Sequence, residues 1–171
     1  MRRTTPTAAL SALLALPLAA PLAAETFSGT VNGEARDWHL EVDGESGTAW
    51  HAMGMFTQAT IFGFPDPGNP GDVTGALELS LTLRGPDDAL TPMAGYATYY
   101  AEGWRQLYVS ADEDADITVT LHAARIEGET LHLAGTVEAD LQRLVDITTE
   151  ELDPDDRLQI AVSFDLALPA Q

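Results

Sequence analysis

The sequence predicts an all-β protein: a single-domain antiparallel β-sandwich of jelly-roll type, with a closed β-barrel as the alternative. Three observations point there. About eight segments alternate apolar and polar residues with the two-residue period of a strand that buries one face. The stretches between them are short and rich in Gly, Pro and Asp, as tight turns require. Only residues 139–152 have apolar spacing that fits a helix about as well as a strand, so at most one short helix is expected there.

Residues 1–24 are different in kind. Arg2 and Arg3 precede an apolar run from Ala8 to Leu16, and small residues with Pro17 and Pro21 lead to Ala24. A basic start, an apolar middle and a small-residue end describe a cleaved signal peptide, with the cut after Ala24 and Ala23 as the competing site. The apolar run is too short and too Pro-broken for a transmembrane helix of about 20 residues. The expected product is a periplasmic or secreted domain spanning residues 25–171.

Phe27 to Val31 alternates, Asn32-Gly33 follows, and Glu34 to Val42 resumes. Asn-Gly between alternating runs is a strong hairpin signal, because both turn positions need positive φ. On the second strand Trp38, Leu40 and Val42 share the core face while Asp37, His39 and Glu41 face solvent. Trp38 is preceded by Arg36-Asp37 and not by Gly-x, which counts against a lipocalin-type barrel. Asp43 to Gly47 reads as a turn.

No Asp, Glu, Lys or Arg occurs between Glu45 and Asp66, in a chain with 27 acidic residues. Burial is what rewards leaving charge out, so Trp50 to Phe64 is expected to be a buried central strand with a bulge at Gly54, or two strands meeting near Gln58. Three prolines end it between Phe64 and Asp72. Leu77, Leu79, Leu81 and Leu83 then share one face of a strand that Gly85-Pro86 stops. Ala94 to Ala111 reads as a hairpin turning at Glu102-Gly103, and residues 117–137 as another around Glu127-Gly128-Glu129. A last strand runs from Leu158 to Leu168.

Composition excludes several function classes. With the leader removed, six Arg face 27 acidic residues, a formal charge of −21, which repels nucleic-acid backbones and anionic membranes. There is no Cys, so disulfides, thiolate metal sites and a Cys nucleophile are excluded. With no Lys there is no Schiff-base chemistry, and neither a Gly-x-Ser-x-Gly elbow nor a His-Glu-x-x-His motif occurs.

Two constellations could carry function. In the Ala94–Ala111 hairpin, a two-residue turn pairs Ala101 with Trp104, Tyr99 with Gln106 and Ala97 with Tyr108. That gathers Tyr99, Trp104 and Tyr108 on one face and Tyr96, Tyr100 and Arg105 on the other, with Leu107 and Val109. One face should look outward as an aromatic platform for a protein partner or a glycan, against the plainer alternative of cross-strand packing. Elsewhere, His51, Met53 and Met55 project together if residues 50–56 form one strand. An imidazole with two thioethers suits copper(I), whereas Met as core filler needs no metal. Asp112, Asp114 and Asp116 have the spacing of a calcium loop, but Ile117 and Ala123 stand where an EF-hand needs Gly and Glu. A looser calcium site there or at Asp153, Asp155 and Asp156 competes with solvated turns. His122 and His132 are expected on one face of the third hairpin, diagonal to each other. The expected function is binding, with the aromatic hairpin as the leading site and a periplasmic copper protein as the alternative.

Overall fold

The computed structural model describes residues 25–40, 47–69, 71–111 and 117–171. The leader expected over residues 1–24, most of the turn at residues 43–47 and the acidic loop at residues 112–116 lie outside them.

The described chain forms eleven strands and no helix: β1 Thr26–Val31, β2 Glu34–Asp37, β3 His39–Leu40, β4 Ala49–Met53, β5 Phe56–Phe64, β6 Ala76–Arg84, β7 Thr91–Trp104, β8 Leu107–Val109, β9 Ile117–Glu127, β10 Thr130–Asp146 and β11 Glu151–Pro169. All ladders between them are antiparallel, in a single sheet ordered β2-β1-β11-β10-β8-β7-β6-β5-β3, with β4 on β5 and β9 on β10. The sheet curls until it is nearly closed, the barrel form of the two architectures. Closure depends on one short run. β2 pairs with β1, the chain passes through Trp38, and β3 then pairs with Phe64 and Gly63 of β5. Trp38 fastens this crossing: its backbone N–H donates to Phe27 O at 2.8 Å and its indole N–H to Gly75 O at 2.9 Å. Gly63 is required here, because a Cβ would stand 2.5 Å from the Phe27 ring and 2.7 Å from Trp38 Cβ.

Strand alternation fills the barrel interior. Leu77, Leu79, Leu81 and Leu83 point inward and are wholly buried, facing Leu131, Leu133, Val137 and Leu141 of β10 and Ile160, Val162, Phe164, Leu166 and Leu168 of β11. Each such side chain stabilises the fold by roughly 1.5–3 kcal/mol, and the interior is a packed core. The far end is sealed by Trp50, whose indole N–H donates to Glu129 O at 3.2 Å while its carbonyl accepts from Gln171 N at 2.9 Å.

Three local expectations change. The charge-free run is a hairpin that turns at Gly54-Met55, with Met53 opposite Phe56. Its burial belongs to β5, where Ala59 and Ile61 are fully enclosed, while residues 52–55 are exposed at the tip. Residues 139–152 hold no helix: β10 runs through Asp146, a turn occupies residues 147–150, and β11 starts at Glu151. The apolar stripe that fitted a helix is two strand faces joined by a turn in which Asp146 Oδ1 accepts from Thr148 N and Thr149 N at 2.7 and 3.2 Å. In the β9–β10 hairpin the turn is Gly128-Glu129, and a bulge opposite Ala134/Gly135 shifts the register at His122. His132 is cross-strand from Arg125, with its Nε2 3.6 Å from Glu127 Oε2.

Candidate ligand-binding cleft

The aromatic hairpin forms, in a register different from the one a two-residue turn gives. Tyr100 lies opposite Leu107, Tyr99 opposite Tyr108 and Thr98 opposite Val109. Glu102-Gly103 is therefore not the turn. Gly103 adopts φ 61° and is buried against Val73 and Thr74, the chain reverses at Arg105-Gln106, and Gln106 N donates to Gly103 O at 3.4 Å. The shift is two residues, an even number, so strand faces are preserved for every ring but one. Trp104 leaves the Tyr99 face and lies against Tyr100.

The inner face belongs to the core. Tyr99 and Tyr108 are buried in the barrel. The Tyr108 hydroxyl donates to Asp156 Oδ1 at 2.9 Å and accepts from Gln106 Nε2 at 2.8 Å, and Arg143 Nη1 stands 3.4 Å from Asp156 Oδ2. Burial and the Asp156 carboxylate push the Tyr108 hydroxyl above its ordinary pKa.

The outer face carries the candidate site. A file of rings crosses the sheet: Phe64 to Phe62 at 4.8 Å between centroids, Phe62 to Tyr100 at 5.5 Å, and Tyr100 to Trp104 at 5.0 Å with the planes at 84°. Tyr100 is buried beneath them, and its hydroxyl donates to Glu78 Oε2 at 2.9 Å. Desolvation first, then the Glu78 charge, holds that hydroxyl far above the usual tyrosine range, so it remains a donor. Trp104, by contrast, is 69% exposed. Beside these rings opens a cleft of about 770 Å³, walled by Tyr96, Leu107, Val109, Leu144, Ile147 and Leu152, with Gln142 and Glu150 as polar points. Another depression, about 510 Å³ on the β1–β11–β10 side, is lined by Thr30, Glu138, Asp140 and Gln159 with no ring.

Of the residues the sequence singled out, Tyr96, Tyr100 and Trp104 meet at this cleft, Tyr99 and Tyr108 are core, and Arg105 sits on the turn outside the lining. The far wall was missed. Leu144, Ile147, Glu150 and Leu152 come from the segment with helical spacing, and the signal that could have found them is Asp146-Ile147-Thr148, an Asx-turn sequence between two alternating runs. His51 and Met53 share the outer face of β4, His51 half-buried and opposite Gln58, while Met55 stands in the turn beyond them. Among the described residues no group of three or more His, Asp or Glu is placed to hold a metal ion. Asp153 and Asp156 are occupied with Asp155 N and with Tyr108.

Comparison with protein-family models, curated proteins and solved structures finds no match to this chain. What the cleft does has to be argued from its own chemistry.

Proposed function

We propose that the protein is an exported, acidic binding module that holds a glycan or a segment of a partner protein in the Trp104–Tyr100 cleft, and that it acts by binding and not by catalysis. Export is supported by the leader pattern of residues 1–24. A barrel with an apolar interior and charged outer positions such as Glu138, Asp140 and Asp165 is the inverse of a membrane-spanning barrel, which supports a life in water.

The observation that carries the binding role is the indole of Trp104, left 69% exposed at the mouth of a concave, mixed apolar and polar cleft. Covering a ring of that size stabilises by on the order of 3 kcal/mol, which the unliganded fold forgoes and a ligand recovers. Ile147, 71% exposed, and Tyr96, 37% exposed, widen the same apolar patch. Its volume falls inside the range of small-ligand sites, roughly 300–1,000 Å³. Trp38 and Trp50 are buried, so ligand-induced changes in tryptophan emission report on Trp104. Titration with neutral oligosaccharides and with peptides should shift that emission, and Trp104→Ala should remove the response. A flat response across both panels would end this assignment.

A second role is favoured by one observation. Met53, Met55 and Met93, the only methionines after residue 24, are each more than half exposed, where a core-filling thioether would be hidden. With His51 on the same face as Met53, the β4–β5 hairpin offers a soft donor set suited to copper(I). Anaerobic copper(I) titration against a competing chelator should then show binding that His51→Ala and Met53→Ala abolish. No competition by the unmodified protein would dispose of the copper role.

A further inference from the structure

We infer that the ligand of the aromatic cleft is a small organic cation with an apolar shell, of which a quaternary ammonium head group is the simplest form. This rests on the cleft being the binding site and goes beyond the proposed function in the occupant it assigns. Four features converge. The Tyr100 ring, 4% exposed, floors the cleft at 84° to the exposed Trp104 ring with centroids 5.0 Å apart, which makes a corner whose open wall is the indole. The apolar face of a sugar is served by one open aromatic face, whereas a compact cation gains from several rings around it, each attracting the charge through its quadrupole. Tyr96, at the rim, supplies a third ring.

The electrostatics select the same guest. Among the described residues, Glu150 is the one charged member of the lining and no Arg belongs to it. Behind the floor, the Tyr100 hydroxyl donates to the Glu78 carboxylate, which places a second negative charge beneath the rings. Over the whole chain the formal charge is −19, a field that concentrates cations and repels acidic peptides. A neutral glycan gains nothing from either term.

Glu150 provides the fourth feature. It adopts φ 55°, in the left-handed region where Gly is the cheapest occupant, at the last position of the turn at residues 147–150. The residue is exposed there and lines the cleft together with Trp104 and Tyr96.

The test is calorimetric titration of the purified chain at constant ionic strength with choline, with its uncharged carbon isostere 3,3-dimethylbutan-1-ol, and with a neutral oligosaccharide. Choline should bind, and the isostere should bind about tenfold more weakly, as expected for a desolvated cation–π site. Trp104→Ala should abolish choline binding, and Glu150→Gln should weaken it by about threefold. Both positions are exposed, so both variants should fold, which circular dichroism checks. Equal binding of choline and the isostere, or binding of the oligosaccharide without choline, would overturn the cation assignment and leave the binding module standing. No binding by any probe or peptide, with Trp104 emission unchanged, would overturn both.

Discussion

Tyr100 shows how one side chain serves both fold and site. It belongs to a small outer cluster with Ala76 and Leu107, against which Phe62, Val73 and Leu144 pack, while its hydroxyl is spent on Glu78. Replacing it by Phe keeps the ring and removes the donor, leaving a half-buried carboxylate short of a partner. The expected cost is about 1 kcal/mol in urea unfolding at neutral pH. The same hydroxyl makes a pH prediction. Its folded pKa is raised above the ordinary 10.0, so between that value and the folded one the native state binds the proton that the unfolded state has lost. The stabilisation is complete below pH 10 and drains away as pH rises. Unfolding midpoints at pH 9, 10 and 11 should fall more steeply for the unmodified protein than for Tyr100→Phe, and parallel slopes would show that the hydroxyl is not held as described. Tyr108, shifted the same way by burial and Asp156, should leave part of the alkaline slope in that variant.

The crossing from β2 to β3 and the turn between β10 and β11 behave differently under mutation. At the crossing, Gly63→Ala drives a methyl into Phe27 and Trp38 Cβ, both core groups, so a loss of about 1–3 kcal/mol is expected in chemical denaturation. A neutral result would mean that the seam between β3 and β5 is looser than its contacts imply. At the turn, Glu150→Gly relieves a left-handed glutamate and should raise stability by about 1 kcal/mol. Stability up and choline affinity down in that one variant would be a hard combination to explain by structure alone. The elements differed in how far they could be read in advance. Asn32-Gly33, with φ of 50° and 79°, and the four alternating leucines of β6 were legible because their signals are local. The β7–β8 register was not, since Gly103 can serve a tight turn or, as it does, a wider one packed on Val73 and Thr74. A barrel and a sandwich share the same alternation along each strand. What separates them here is Trp38 reaching Gly75 and Trp50 reaching Glu129, contacts 37 and 79 residues apart in the chain. The cleft was half legible for the same reason: its rings announce themselves, while Ile147 and Glu150 depend on how two distant strands end.

At the scale of the whole molecule, charge and closure dominate. The formal charge of −19 on a chain of 171 residues is a self-repulsion that counter-ions screen over about 10 Å at 0.1 M salt. The melting temperature should therefore rise as sodium chloride is increased from about 10 to 150 mM, and a falling or flat curve would show that the carboxylates are better compensated than the four surface ion pairs among the described residues suggest. Closure has a different consequence. β11 pairs with β1 on one edge and β10 on the other, and just beyond it Ala170 and Gln171 reach Trp50 on β4. An early segment of the chain thus waits for a late one, and the β1–β11 ladder spans most of the sequence. Such a topology folds slowly, because long loops must be closed before any of these contacts is gained. A chain emerging through a narrow pore would stay open and threadable until its distal strand was free, so the seam also sets the moment at which the protein becomes folded.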